Sequence, residues 1–124
     1  MGGADRKALG KHAEALAAET LEKKGYRIFA RNARCPLGEL DIVALHGDML
    51  VFVEVRAVSG GRRGHPKESV STRKQAVLTR TALWYLKKHG WMDRSARFDV
   101  ITVRMNGGGV PEVEHFVNAF EMVY

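Results

Sequence analysis

ELDIVALHGDMLVFVEVRA, residues 39–57, reads as two apolar strands folded back on one another. Gly47-Asp48 interrupts the alternation and carries the composition of a hairpin turn. A two-residue loop there, or the four-residue loop around it, pairs residues whose numbers sum to 95. Leu45 then faces Leu50, Val43 faces Phe52, Asp41 faces Glu54 and Glu39 faces Arg56, all on one side because side chains alternate with period two. The other side, Leu40, Ile42 and Ala44 with Val51, Val53 and Val55, is wholly apolar, so the sheet is predicted to be covered on both faces.

Strand centres are poor in Asp and Glu, and here two acids interrupt runs of Val, Ile, Leu and Phe at facing positions. Their Cβ atoms would lie about 4.5 to 5.5 Å apart, where like charges repel. A shared proton, a bridging Arg or Lys, or a divalent cation would each relieve the repulsion. Mg2+ suits the place, because it takes one or two carboxylates and completes its octahedron with water and phosphate oxygens. The plainer alternative is an ion-pair patch of Glu39, Asp41, Glu54 and Arg56 at the open end of the sheet.

Outward from the hairpin, Leu9, Ala13, Leu16, Thr20 and Leu21 recur at helical spacing from about Asp5 to Lys24, with Gly25 as the stop. Tyr26 to Asn32 reads as a strand, and Cys35-Pro36-Leu37-Gly38 as the turn into the hairpin. Beyond Ala57, residues 58–66 form a basic, Gly-rich loop. A second helix runs from about Thr72 to His89, with capping-box spacing between Thr72 and Gln75 and Gly90 at its end. Ala96 to Met105 and Val113 to Phe120 complete the order αβββαββ. The long helix between the third and fourth strands implies a parallel, right-handed crossover. The expectation is one α/β domain over residues 1–124, with three layers around a mixed sheet of about five strands.

Composition bounds the function classes. Twenty Lys and Arg against fourteen Asp and Glu give a formal charge of +6, which favours polyanionic partners. The single Cys35 forms no internal disulfide and leaves no Cys cluster for zinc, which fits a reducing, cytoplasmic setting. The first residues lack a signal-peptide core, and no apolar run is long enough to span a bilayer, so no membrane role is expected. His12, His46, His65, His89 and His115 lack ligand-like spacing and are read as solvated or structural. Trp84 and Trp91 are read as core or interface packing rather than base-stacking surfaces. Glu14, at the edge of the first helix's apolar stripe, is a third acid within reach of the hairpin.

Gly38-Glu39-Leu40-Asp41-Ile42-Val43, then Val51-Phe52-Val53-Glu54-Val55-Arg56, behind a helix bearing Glu14, resembles the YraN family of small bacterial proteins. That family is related to Holliday-junction resolvases and the PD-(D/E)xK nuclease superfamily. Gly25-Tyr26, Arg31-Asn32, Gly64, Pro66, Lys74 and Asn118-Ala119-Phe120 extend the likeness over nearly the whole chain. The resemblance implies a restriction-endonuclease-like fold and hydrolysis of DNA phosphodiesters with Mg2+ or Mn2+. It implies Asp41 and Glu54 as metal ligands, the Val55 carbonyl as a further ligand and Glu14 as the helix acid of resolvases. Branched DNA as substrate and a homodimer as assembly are also implied.

The departure is Arg56, where the superfamily carries lysine, because a guanidinium with pKa above about 12 cannot serve as a base. Lys74 is the candidate replacement, with a phosphate contact as its alternative role. Arg62, Arg63, Lys67, Arg73 and Lys74 form a basic tract suited to a nucleic-acid backbone. Two rival classes stay open: a nucleic-acid-binding protein that kept the fold without catalysis, and an interaction scaffold that dimerises through Trp91 or the last strand.

Overall fold

The computed structural model describes residues 3–58, 70–105 and 109–122. Helix α1 (Gly3–Lys23) leads into β1 (Arg27–Cys35), β2 (Gly38–His46) and β3 (Met49–Val58), followed by α2 (Thr72–His89), β4 (Ala96–Arg104) and β5 (Glu112–Phe120). The order αβββαββ is the one predicted. The strands form one mixed sheet in sequential order, antiparallel except where β4 lies parallel to β3. β1 is longer than the sequence suggested, because its hairpin with β2 stays paired to Cys35–Gly38.

The helices cover opposite faces. Leu78, Ala82, Tyr85 and Leu86 of α2 pack with Val43, Phe52 and Phe98. Ala13, Ala17, Ala18 and Leu21 of α1 pack with Ile42, Val51, Val53 and Ile101. The buried stripe of α1 is thus built mainly from alanines rather than from Leu16 and Thr20, which lets the helix lie close on the sheet. Among the described residues no helix is long and apolar enough to cross a membrane.

The β2–β3 ladder has the register read from the sequence, Ile42–Val53 through His46–Met49, with Gly47 at φ +61 supplying the conformation its tight loop needs. Helix α2 begins differently from expectation. Ser71, extended at φ −62 and ψ 158, is the N-cap, and its Oγ accepts the Lys74 N–H. Gln75 turns back to donate to the Val70 carbonyl, so there is no Thr72–Gln75 capping box. At the other end Gly90, at φ +70, lets the Trp91 N–H reach the Leu86 carbonyl at 2.8 Å.

A polar knot ties β4 to both β5 and the start of β1. Asp99, fully buried, accepts from Arg97 Nε at 2.9 Å, from His115 Nε2 at 2.8 Å and from the Asn118 N–H at 2.9 Å. Tyr26, whose hydroxyl takes a bond from Arg97 Nη2 at 2.8 Å, stacks on His46. His115 is therefore structural in its surroundings, while His65 lies outside the described residues.

Candidate functional site

Asp41 and Glu54 meet where β2 parts from β3. The backbone ladder between the strands ends at Ile42–Val53, and Asp41 takes over beyond it: its Oδ2 accepts the Val55 N–H at 2.9 Å. On the other side, β1–β2 pairing keeps one register through Arg31–Ile42 and Ala33–Leu40, and Asn32 between them adopts φ +51, a left-handed conformation that Asn tolerates better than most residues. Two sequence expectations are corrected here. Leu40 packs with Val43 under α2 instead of with Ile42 under α1, and because the β2–β3 ladder ends at Ile42–Val53, Glu39 is paired with Arg34 of β1 but not with Arg56.

Glu54 is only 6 % exposed, in the middle of the apolar run of β3. Leu40, Phe52, Val53, Leu78 and Phe98 wall the narrow pocket that it shares with Asp41. The two carboxyls hydrogen-bond to each other. Burial first, and the Asp41 charge second, push the Glu54 carboxyl from the ordinary 4.5 up to about 8, against the opposing pull of Lys74 and Arg56. Burial thus favours the protonated form of Glu54, while Arg56 and Lys74 favour the charged one.

Two cations from different elements flank it. Arg56, two residues along β3, places Nη1 3.7 Å from Glu54 Oε2. Lys74, held in the first turn of α2 by the Ser71 cap, places Nζ 4.0 Å from the same oxygen. Both separations exceed a hydrogen bond, so the attraction is Coulombic, and both side chains remain 42 % exposed. Glu14 approaches from α1: its carboxyl is raised by burial and by the Asp41 charge, while a hydrogen bond with Asn32 acts in the opposite sense.

The fold thus brings Asp41, Glu54, Arg56 and Lys74 together, with Glu14 close enough to feel Asp41. Val55 takes part through its amide N–H. Arg73 is exposed in the first turn of α2, and Arg62, Arg63 and Lys67 lie outside the described residues. Asn32 escaped the chemical reading of the sequence. Its signal is a small polar residue able to break a strand opposite an acid, which no local pattern separates from an ordinary surface asparagine.

Among the described residues no group of three or more His, Cys, Asp or Glu is placed to hold a metal. The donor set is instead a pair of hard carboxylate oxygens with a spare proton, which a divalent cation competes for directly. That composition fits Mg2+ or Mn2+ with most of its shell left to water and phosphate, and does not fit a zinc cage.

A family model described as Uncharacterised protein family UPF0102 matches residues 13–103. The chain is 51 % identical to a UPF0102 protein of Pelotomaculum thermopropionicum over 116 residues, covering 93 % of this chain and 97 % of that one. It is 44 % identical to a UPF0102 protein of Geobacter metallireducens, covering 95 % and 96 %. Among solved structures, Pyrococcus furiosus SfsA in complex with Ca2+ is similar with a TM-score of 0.46 and 14 % identity; the match covers 91 % of this chain and 64 % of that one.

Proposed function

The chain belongs to the UPF0102 family, and we propose that this member hydrolyses DNA phosphodiesters with Mg2+ or Mn2+, branched DNA being one candidate substrate. The observation that carries the reading is the pair Asp41–Glu54, lining one narrow pocket in an apolar strand and approached by Arg56 and Lys74. A buried acid pair costs stability, and its arrangement at the parting of two strands opens it to a ligand.

Asp41 and Glu54 would hold the ion, with the Val55 carbonyl as a further oxygen donor and Glu14 as an acid on the neighbouring helix. When bound, it supplies Lewis-acid activation of water and of the phosphoryl group. The chain does the rest. The Val55 N–H keeps Asp41 aimed, and the apolar wall excludes loose water from the acids. Arg56 stays charged and offsets negative charge developing on phosphoryl oxygens. Lys74, reaching the same carboxylate from α2, is the group able to exchange a proton with the attacking water. Arg62, Arg63, Lys67 and Arg73 would guide the phosphate backbone to the acids.

One observation favours a second reading, a nucleic-acid-binding protein without turnover: Arg56 occupies the place of a base and cannot be one. End-labelled four-way junctions and matched linear duplexes, incubated with Mg2+, Mn2+ or chelator, separate the two. Metal-dependent cutting that Glu54→Ala abolishes supports the nuclease. Retained binding without cutting supports the silent binder.

A further inference from the structure

We infer that an aromatic platform at the far end of α2 takes an unpaired nucleobase, which adds single-stranded character to the substrate and rests on the DNA reading above. Phe29, on edge strand β1, is 47 % exposed. Its ring meets Trp91 edge-on with centroids 4.9 Å apart and meets His89 at 5.7 Å. His89 lies nearly parallel to Trp91 at 4.8 Å, and the Arg94 guanidinium sits 5.3 Å over the Trp91 ring. The bond from the Trp91 N–H to the Leu86 carbonyl holds the group in place without any ligand. Aromatic rings interleaved with a guanidinium bind bases whatever their sequence, because every base has a π-face.

Charge selects the occupant. β1 contributes three arginines and α2 five Lys and Arg, and neither contains a single Asp or Glu. Lys87 and Lys88 are exposed just before His89, with Lys88 Nζ 5.2 Å over Trp84. A second copy of this chain docking through the same face would oppose these cations to themselves. A polyanion instead gains by releasing counterions. Within a duplex the base faces are stacked away, so only an unpaired base can use the rings.

The platform also stands at a defined reach from the carboxylates. Lys74 and His89 lie at opposite ends of α2. Their separation along the axis is about 22 Å, or roughly six to seven base-pair steps. A duplex that reaches the acids and opens into single strand at that distance fits both.

Trp84→Phe leaves Trp91 as the remaining tryptophan, since the chain has two. This protein is titrated in chelator with an oligothymidine of about twelve nucleotides and with a blunt duplex of the same length. The single strand is expected to quench Trp91 fluorescence. Phe29→Ala is expected to weaken single-strand binding about tenfold and duplex binding by less than about twofold. Phe29 lies outside the buried core, so this variant keeps the fold, and the quench reads the platform with Phe29 in place. Single-strand binding without a quench, or equal weakening for both nucleic acids, overturns the platform and leaves the nuclease reading standing. Binding of neither overturns both. Dimerisation that Phe29→Ala abolishes assigns the face to a second copy and overturns the platform.

Discussion

The Val55 amide donates to Asp41 Oδ2 at 2.9 Å, at the point where the β2–β3 backbone ladder has stopped. A side chain thereby does the work of a backbone acceptor and is aimed at Glu54 by the same bond. Structural and ligand roles of Asp41 can be separated by two substitutions. Asparagine keeps an oxygen for the Val55 N–H, whereas alanine leaves it without one. Asp41→Ala is expected to be less stable than Asp41→Asn by about 1 kcal/mol in chelator. Calorimetry should show that neither variant binds Mg2+. Mg2+ binding by Asp41→Asn equal to the parent's would remove Asp41 from the ligand set.

Glu54 provides a prediction with a pH signature. Its carboxyl is raised from 4.5 to about 8, so over that window the folded chain keeps a proton that the unfolded chain has released. Stability contributed here is lost as pH rises through the window, and the full cost is present above 8. Glu54→Gln cannot ionise, and its amide still donates to Asp41. In chelator the variant should be more stable than the parent by a few kcal/mol above that pH, with the gap closing toward the ordinary carboxylate value. Thermal melts across the range check this. Added Mg2+ should raise the melting temperature of the parent only. A gap independent of pH would show that the pair does not share a proton.

Much of this was legible in the sequence because period-two alternation and Gly47-Asp48 together leave one register, and that register puts Asp41 beside Glu54. The positive φ of Asn32 and the packing of Leu40 under α2 were not, since neither departs from period-two alternation in a way the residues themselves signal. Lys74 was a candidate from its place in the first turn of the second helix; its 4.0 Å approach to Glu54 was not legible, because it depends on how that helix packs on the sheet. Asp99 was readable and was missed. It interrupts the apolar run of β4 just as the two acids interrupt β2 and β3, but besides Arg97 its partners come from β5 and from Tyr26, just before β1.

Lys74 and Arg56 approach the same Glu54 oxygen but differ in proton chemistry. Lys74→Met is expected to reduce metal-dependent cutting by about a hundredfold or more, with DNA affinity reduced far less. Arg56→Lys is expected to increase cutting, because it places a second exchangeable amine beside the acids. Single-turnover cleavage with saturating DNA measures both. Unchanged cutting by Lys74→Met, with a gain in Arg56→Lys, would move the proton-exchanging role to the β3 position.

The buried Asp99 should behave in the opposite sense to Glu54. Burial on its own would raise this carboxyl, but hydrogen bonds from His115, the Asn118 N–H and Arg97, with the Arg97 charge, outweigh it and leave the group below the ordinary 3.8. The stability it contributes is therefore fully present above that value and is lost as pH falls through the lower folded one. Asp99→Asn leaves Arg97 without its counter-charge and is expected to cost about 3 kcal/mol at neutral pH. The gap to the parent should shrink in acid, where the parent's own carboxylate becomes protonated. Asp99 sits beside Val53 on the α1 side of the sheet, away from the Glu54 pocket, so Mg2+ binding by the folded variant should match the parent's. Denaturant melts at neutral and acid pH test the sign, and a gap that widens in acid would show that the carboxylate is not what the knot stabilises.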